Sequence, residues 1–377
     1  MLSHLHLRNF KSAKDLGVVL RPLTVLAGLN GSGKSSVLQA VALLKQTLDQ
    51  SGDGTTLPLR GALIRLGRSE DVHFEGAESA ELSLEIECSS GVVRFASAAK
   101  NNADTLDLTI EGNATALRKE LGAWFQFIQA DRITPAAQYE QASTPDQERG
   151  WLGCRGEFTV DFLQRNEDKR ISDKRQCPGE MFGLDRALLK LIAPTPKLGD
   201  QTAAWMQTLS PGVRLRAIPV DLADATSLRF QYASNEIASG TRDHRPSNVG
   251  FGLTYSLPII VACLAAEQGG ILLLENPEAH LHPRGQAALG HLLAMCCADG
   301  VQVIVETHSD HLLNGVRVAV KNGALAADKV ALHYFERDVR TGESRIESPR
   351  VLPDGQLDRW PEGFFDQWDK SLDALLD

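Results

Sequence analysis

The feature that most constrains this chain is the stretch "GLNGSGKSS", which runs from Gly28 to Ser36. It follows a run typical of a buried strand, "LTVLAG", and precedes a helical pattern, "SSVLQAVALLKQTL". Glycines let the backbone turn tightly, so that its N–H groups and the helix N-terminus face phosphate oxygens. The spacing satisfies the P-loop pattern G-x-x-x-x-G-K-[ST] and therefore predicts a nucleotide phosphate site.

The residues of this loop have expected roles in binding. Lys34 would reach the β and γ phosphates, and the Ser35 hydroxyl would bind Mg²⁺. The other predicted nucleotide-binding residues of the loop contribute backbone N–H groups or small polar side chains, and they are Gly28, Asn30, Gly31, Ser32, Gly33 and Ser36. The expected ligands are a nucleotide with β and γ phosphates and Mg²⁺; the P-loop alone does not separate kinases, GTPases and motor ATPases.

The pattern of strands and helices indicates an α/β fold. Alternating runs at 82–86, 92–95 and 106–110 predict an antiparallel β layer, and from Asn248 onward helical and apolar strand patterns alternate, as in a parallel sheet with crossover helices. We expect three segments: 1–115 and 246–377 as the two parts of the core, and 116–245 as an inserted, largely helical lobe. Within that lobe the charged stretch "RNEDKRISDKRQ" is expected to be a solvated helix face or a loop.

Composition limits the cellular setting. The net charge of −9 opposes a nucleic-acid backbone, so any contact with DNA would need a local basic patch. The six cysteines include no C-x-x-C pair, which favours a reducing cytoplasm over a disulfide framework or a zinc ribbon. No apolar run predicts a membrane span or a signal peptide, so we expect a cytoplasmic protein without a membrane partner.

A second candidate for chemistry is the stretch "ILLLENPEAHLHP", Ile271 to Pro283. An apolar run that ends in acids is typical of a buried parallel strand that delivers carboxylates to its C-terminal edge, where open α/β sheets place their ligands. A later strand pattern, "VQVIVETH", ends next to His308.

These motifs, in their order along the chain, resemble ABC-class P-loop ATPases. The resemblance is to the bacterial branch that is similar to the ATPase half of overcoming-lysogenization-defect nucleases and to chromosome-maintenance ATPase heads. Four stretches support this resemblance: the opening "LRNFKSAKDLGVVLRPLTVLAGLNGSGKSS", "NVGFGLTYSLPII", "ILLLENPEAHLHP" and "VIVETHSDHLL". The terminal "WPEGFFDQWD" is similar to the tail of a poorly characterised subgroup of prokaryotic ATPases. The expected fold is an ABC-type ATPase head.

The resemblance implies further site residues. Two heads would sandwich ATP as a homodimer, with Gly250, Gly252 and Thr254 at the position of a degenerate signature that contacts the γ-phosphate across the interface. His308 resembles the switch histidine that senses the γ-phosphate. Glu275 takes the position of the acid that holds the Mg²⁺ water shell.

Asn276 takes the position of the second acid, which polarises the attacking water in the related pattern. An amide cannot accept the proton of that water, although it can orient the water by hydrogen bonds. Glu278 is the natural substitute, with the reservation that its spacing from Glu275 can turn it the wrong way. We therefore expect slow hydrolysis and a long-lived ATP-bound dimer.

Other polar residues allow more than one interpretation. Arg8 and Lys11 either contact nucleotide or lie at a surface strand end. Asp131 and Arg132 fall where related proteins carry a linker between the core and the inserted lobe, with a direct nucleotide role as the alternative. The histidine pairs at 4 and 6 and at 280 and 282 lack the ligand spacing of a zinc site, and the resemblance places the second pair in a dimer-contact loop.

Two functions remain open from the sequence. The first is an ATPase switch that works with a partner effector in phage defence or DNA maintenance, with DNA as a candidate ligand. The second is a non-hydrolysing, nucleotide-bound scaffold that organises another protein, which Asn276 favours; a transport ATPase is a distant third. The chain has no Asp-x-Asp sequence, so we expect no intrinsic nuclease motif.

Overall fold

The computed structural model describes residues 1–50, 54–122, 124–233 and 241–364, together with positions 372, 374 and 375. These residues form two compact units. The first comprises residues 1–123, 304–310 and 326–377, and the second comprises residues 124–303 and 311–325. This division differs from the predicted segments, because residues 246–303 group with the middle of the chain.

The described strands are β1 (His4–Phe10), β2 (Ala13–Val19), β3 (Leu23–Gly28), β4 (Thr56–Pro58), β5 (Glu81–Cys88), β6 (Gly91–Ala98), β7 (Thr105–Glu111), β8 (Phe125–Ile128), β9 (Tyr139–Glu140), β10 (Val213–Val220), β11 (Ala225–Tyr232), β12 (Ile271–Glu275), β13 (Gln302–Glu306), β14 (Val330–Arg337) and β15 (Ser344–Glu347). The described α-helices are α1 (Lys34–Gln50), α2 (Ser69–Val72), α3 (Ala114–Leu121), α4 (Thr144–Glu148), α5 (Thr159–Asn166), α6 (Arg186–Ile192), α7 (Leu198–Met206), α8 (Phe251–Ala265), α9 (Pro283–Ala298) and α10 (Asp310–Lys321). No helix among the described residues is both long enough and apolar enough to cross a membrane.

An antiparallel sheet of order β2-β1-β5-β6-β7-β4 forms one layer of the first unit. In β1, Leu5 and Leu7 are fully buried while His4 and Arg8 are exposed, as expected for a strand with one face on the core. Leu7 lies opposite Leu84 of β5, which aligns the buried faces of the two strands. The predicted antiparallel layer is confirmed.

The strand that leads into the P-loop lies in a second layer of the same unit. Leu23 to Ala27 of β3 are buried, and β3 pairs in parallel with β14, which in turn pairs antiparallel with β15. Thr307 donates its backbone N–H to the carbonyl of Leu26 at 3.0 Å. The ends of β3 and β13 therefore lie beside each other, as the rule for ligand sites in α/β sheets requires.

The second unit holds the acidic strand. Ile271 to Leu274 of β12 are buried and pair in parallel with Phe125 to Ile128 of β8. The apolar run at 251–265 forms α8, with Pro258 inside the helix, and the next helical pattern forms α9. The helix–strand–helix interpretation of this part of the chain is confirmed.

The middle of the chain is less helical than expected. Besides α4, α5, α6 and α7 it contains an antiparallel sheet of order β10-β11-β9, whose long hairpin pairs Val213 with Tyr232. Strand β8, also inside the predicted lobe, pairs with β12. The alternating pattern of β10 is weak because its residues are mostly half-buried.

The charged stretch at 165–176 contains a buried exception to its predicted solvation. Arg175 is 3% exposed, and its Nε donates to Asp299 Oδ2 at 2.7 Å. Its Nη1 donates to the carbonyls of Cys263 and Ala266. The expectation of a solvated segment is wrong for Arg175. Its acceptors lie at the ends of helices that are far away in sequence, so the local pattern does not show its burial.

Of the aromatic tail at 357–376, residues 365–371, 373 and 376 lie outside the described residues. Phe364 is buried and packs edge-on against Tyr334 of β14, with ring centroids 5.2 Å apart. The start of the tail is therefore part of the core of the first unit.

Replacing Arg175 with Ala is predicted to lower the free energy of unfolding by about 3–5 kcal/mol, because the buried Asp299 carboxylate loses its nearest cation and keeps only Ser172 and the more distant Lys174. Burial raises the pKa of Asp299, but hydrogen bonds from Ser172 and Arg175 and the nearby positive charges outweigh it and hold that pKa below its usual range. Arg170→Ala is the control, since Arg170 and Asp173 form an exposed ion pair, and it should change stability by less than about 1 kcal/mol. Chemical denaturation at pH 7 measures the free energy of unfolding of both variants. Equal losses of stability would contradict a stabilising role for the buried pair of Arg175 and Asp299.

Candidate functional site

The P-loop of the first unit adopts a backbone that requires glycine. Gly28, Gly31 and Gly33 have φ values of +140°, +73° and +105°, a region that side chains other than glycine rarely enter. A Cβ on Gly28 would lie 2.2 Å from the carbonyl oxygen of Phe335 in β14. The helix α1 begins at Lys34, so its N-terminus follows this turn directly and can accept an anion.

The loop is supported from the opposite end of the chain. Ser344 Oγ donates to the carbonyl of Ser32 at 2.7 Å and lies 2.7 Å from Ser12 Oγ. A Cβ on Gly33 would come within 2.2 Å of Ser344 Oγ, so glycine is needed here for close contact as well as for φ. Ser32 Oγ in turn donates to the carbonyl of Leu29. A hydrogen bond from Ser344 and one within the loop thus support the shape of the P-loop.

Lys34 carries the buried positive charge of the site. It is 3% exposed, and Nζ donates to the carbonyls of Gly28 at 2.9 Å and Leu29 at 2.7 Å. Glu306 Oε1 lies 3.8 Å from the same nitrogen. Lys34 is therefore held at the mouth of the loop, where P-loop lysines contact phosphate.

Two residues at the end of β13 complete this part of the site. Burial raises the pKa of Glu306, against the opposing effects of Ser35 and Lys34. Partial burial, followed by the charge of Lys34, lowers the pKa of His308, which remains accessible to solvent. His308 also contacts the backbone of Gly28. The structure thus brings His308 to the P-loop, while its role as a phosphate sensor stays a prediction.

Glu306 was missed by the sequence reasoning. It ends the apolar run "VQVIV", just as Glu275 ends "ILLL". An acid at the carboxyl end of a buried strand is the signal that could have found it.

A cavity of about 450 Å³ opens over the P-loop within the first unit. Its lining includes the phosphate-binding side of the loop, three cationic side chains and several acids, namely Lys11, Ser12, Gly31, Gly33, Lys34, Ser35, Ser36, Gln39, Glu70, Asp71, His73, Glu75, Glu306 and Arg337. The volume is in the range of small-molecule sites. Lys11 belongs to this lining, whereas Arg8 forms an exposed ion pair with Asp15.

The residues around the cavity fit a Mg²⁺-bound nucleoside triphosphate. Glycine turns expose backbone N–H groups, Lys34 offers a cation, and the Ser35 hydroxyl and Glu306 carboxylate are oxygen ligands of the kind that Mg²⁺ prefers. Oε2 of Glu306 is buried and has no hydrogen-bond partner within the described part of the chain. Such an acceptor is available to a bound cation.

The acidic strand tip lies in the second unit and is organised by a buried arginine. Arg132 is fully buried, and its guanidinium donates to the carbonyls of Glu275 at 2.7 Å and Asn276 at 2.8 Å. Nε donates to the carbonyl of Tyr255, and the guanidinium lies 4.2 Å from the centre of that ring. Burial lowers the pKa of Arg132 to about 10, so it stays charged at neutral pH. Arg132, predicted as a linker residue, is instead the group that holds the backbone of the strand tip.

The three predicted catalytic residues of this unit surround that guanidinium. Glu275 Oε2 accepts the backbone N–H of Ala130 at 3.0 Å. Asn276 has φ of +43°, and its Oδ1 is buried without a hydrogen-bond partner among the described residues. Glu278 is 7% exposed, and its charge acts on Arg132. Catalytic and metal-binding roles for Glu275, Asn276 and Glu278 stay predictions.

The signature-like segment has a structural explanation in the same unit. Gly250 precedes α8 as its N-cap residue, and a Cβ on Gly252 would lie 2.6 Å from the carbonyl oxygen of His280. Thr254 is fully buried, which disfavours a direct hydroxyl contact with phosphate in this conformation. The ring of His280 packs on Phe251, with ring centroids 4.7 Å apart.

The remaining histidine of the loop after β12 caps a helix. Nδ1 of His282 accepts the backbone N–H of Arg284 at the start of α9. Both histidines of "AHLHP" therefore have contacts within this unit that explain their presence.

Arg132→Met is predicted to destabilise the protein by at least about 3 kcal/mol, because buried carbonyls lose a charged donor. Arg155→Met is the control, since Arg155 pairs with Asp131 on the surface of the same unit. Denaturant unfolding compares the two variants. A loss for Arg132→Met no larger than for Arg155→Met would show that the guanidinium does not support the strand tip.

Three family models match parts of the chain. An AAA ATPase domain model matches residues 1–144, and an AAA domain model whose description names the AbiEii toxin of a Type IV TA system matches residues 193–314. A third, "Protein of unknown function (DUF3696)", matches residues 325–375 and includes the aromatic tail.

Two curated relatives are OLD nucleases. The chain is 23% identical over 342 residues to the OLD nuclease of Thermus scotoductus, a match that covers 82% of this chain and 59% of the relative. It is 22% identical over 389 residues to the Old nuclease of Escherichia phage P2, with 93% of this chain and 64% of the relative covered. The chain thus spans about three fifths of the length of these relatives.

Solved structures of SMC heads share the fold. A crystal structure of an Smc head bound to the C-winged helix domain of ScpA matches with a TM-score of 0.54 at 15% identity, covering 93% of this chain and 98% of that one. The Smc head domain with an extended coiled coil, bound to the C-terminal domain of ScpA derived from Pyrococcus furiosus, matches with a TM-score of 0.55 at 14% identity, covering 100% and 99%. The predicted fold class is confirmed: the chain has the α/β fold of an ABC-class P-loop ATPase head and resembles OLD nucleases in sequence and SMC heads in structure.

Proposed function

We propose that this protein is a cytoplasmic, Mg²⁺-dependent ATPase that hydrolyses ATP slowly and dimerises while ATP is bound. In this proposal it works as a switch with an effector protein in phage defence or DNA maintenance. The observation that carries ATP binding is the cavity over the P-loop, lined by Lys34, Ser35 and Glu306. The ATPase-domain matches support the same reaction class.

Within this site each residue has a physical task. The glycine turns and the N-terminus of α1 bind the β and γ phosphates, and Lys34 turns from the carbonyls of Gly28 and Leu29 toward phosphate oxygens. Mg²⁺, held in the first unit by the Ser35 hydroxyl, would neutralise charge on the phosphates. Largely neutral at pH 7, His308 offers a ring nitrogen that can bind water or phosphate.

Slow hydrolysis follows from Asn276. Its amide can orient a water but cannot take up a proton, and general-base catalysis typically contributes about 10²–10⁴-fold to a rate. Positioning and charge stabilisation, which dominate phosphoryl transfer, remain available. Dimers bound to ATP would therefore persist until the slow step occurs.

The support for a protein partner and for a DNA-related role comes from the similar proteins. The SMC heads of similar fold are bound to domains of ScpA, which supports a protein partner for this chain. The curated relatives are named nucleases, which supports a DNA-related role. Because no Asp-x-Asp sequence occurs here, we assign any nuclease step to the effector.

The scaffold function keeps one observation in its favour, the amide of Asn276. The response to added DNA distinguishes the ATPase switch from the scaffold. A switch should bind DNA at low salt and change its ATP turnover when DNA is added, whereas a scaffold should do neither.

Lys34→Ala is predicted to weaken ATP binding by about 100-fold or more, since it removes the buried cation of the loop. Lys45→Ala, which removes a lysine paired with Asp49 on the same helix, should bind ATP as the wild type does. Titration with a fluorescent ATP analogue measures both affinities. Wild-type affinity in Lys34→Ala would place the nucleotide elsewhere.

Asn276→Asp is predicted to raise the single-turnover hydrolysis rate by roughly 10²-fold, because it restores an acid at that position. Aspartate is suitable because it tolerates the left-handed backbone of residue 276 better than glutamate does. Asn276→Gly, which keeps the backbone and supplies no acid, should not accelerate hydrolysis. Size-exclusion chromatography with ATP should show a dimer that persists longer in wild type than in Asn276→Asp. A fast wild-type rate that Glu278→Gln leaves unchanged would rule out slow switching.

A further inference from the structure

Glu306 is a buried acid in the ATP cavity whose purpose the proposed function leaves open. It is the last residue of β13 and 5% exposed, and its side chain lines the cavity beside Lys34 and Ser35. Acids are rarely this buried unless a cation compensates their charge. A cation that compensates the charge of Glu306 is therefore expected close to its carboxylate.

Lys34 compensates the charge only in part. Its Nζ lies 3.8 Å from Glu306 Oε1 and also donates hydrogen bonds to the carbonyls of Gly28 and Leu29, while the Ser35 side chain hydrogen-bonds to the Glu306 carboxylate. The second carboxylate oxygen, Oε2, is buried without a hydrogen-bond partner among the described residues. One face of this carboxylate is thus available for another positive group.

ATP binding sharpens the need for a cation. The triphosphate brings several negative charges to the loop and draws Lys34 toward its oxygens. Glu306 would then lie, still buried, beside a polyanion, and like charges at short range in a low-dielectric site are strongly unfavourable. A divalent cation between them removes the repulsion and uses hard oxygen ligands from both sides.

We propose that Glu306 binds the Mg²⁺ that accompanies ATP, together with the hydroxyl of Ser35. The carboxylate thus makes ATP binding depend on the metal: with Mg²⁺ it attracts the ion, and without Mg²⁺ it repels the phosphates. This inference rests on the proposed ATP binding and adds a metal-binding residue to it.

The test measures affinity for a fluorescent ATP analogue with the full chain, once in EDTA and once in excess Mg²⁺. Wild type should bind more tightly with Mg²⁺. In Glu306→Gln, which keeps size and removes charge, we expect the Mg²⁺ enhancement to fall by about 10-fold or more, with affinity in EDTA equal to or above that of wild type. Glu347→Gln is the matched control, since Glu347 is an exposed acid of the same unit outside the cavity lining, and it should keep the full enhancement.

A second measurement follows the ion directly. Mn²⁺ electron paramagnetic resonance, in the presence of a non-hydrolysable ATP analogue, should show about 10-fold weaker ion binding in Glu306→Gln than in wild type. If thermal unfolding shows that this variant does not fold, Glu306→Asp replaces it, because the shorter carboxylate keeps the charge but withdraws from the ion.

Several results would overturn the proposal. A wild-type Mg²⁺ enhancement in folded Glu306→Gln, or in Glu306→Asp where that variant replaces it, would do so. An equal loss of affinity with and without Mg²⁺ would mean that Glu306 only orders Lys34. Failure of the proposed function is distinguishable, because wild type itself would then bind no ATP analogue in either condition.

Discussion

The buried ammonium of Lys34 is the interaction around which the nucleotide-facing part of the first unit is organised. A charge that is 3% exposed needs acceptors, and the P-loop provides them by turning the carbonyls of Gly28 and Leu29 toward Nζ. That turn requires positive φ at glycine positions, a backbone conformation in which N–H groups of a loop can face a bound anion. One buried cation thus accounts for the loop shape, the glycines and the nearby acid at the end of β13.

The second unit uses a buried cation for a different purpose. The guanidinium of Arg132 holds backbone carbonyls of the strand tip, so it constrains the path of the chain at Glu275 and Asn276. Residue 276 then lies at φ of +43°, where asparagine, aspartate and glycine are the residues tolerated best. The backbone geometry at residue 276 therefore limits which side chains can occupy that position, independently of any role of the residue in catalysis.

Local patterns were sufficient to predict the elements that carry the motifs. The strand at 23–28 was found because an apolar run ends in a glycine turn, and the helix at 34–50 because its apolar residues recur at helical spacing. Strand β12 was found in the same way. These features depend on neighbours within a few residues, which a sequence displays directly.

Long-range partners were not predictable from the same patterns. Arg132 acts on carbonyls that lie 143 and 144 positions away, and Arg175 pairs with an acid 124 positions away. Arg132 was assigned to a linker by resemblance to related proteins, and Arg175 to a solvated helix face or loop because its surroundings in sequence are charged. Which charge is buried is decided by tertiary packing, and a single sequence does not display that packing.

The support of the P-loop by Ser344 has a consequence for protein synthesis. Ser344 is 312 positions beyond Ser32, whose carbonyl it contacts. A ribosome that has made the P-loop, α1 and the antiparallel layer has not yet made the hairpin of β14 and β15. A nascent chain therefore holds an incomplete phosphate loop until β15 emerges, so that nucleotide binding by this geometry begins only after the hairpin of β14 and β15 has been translated.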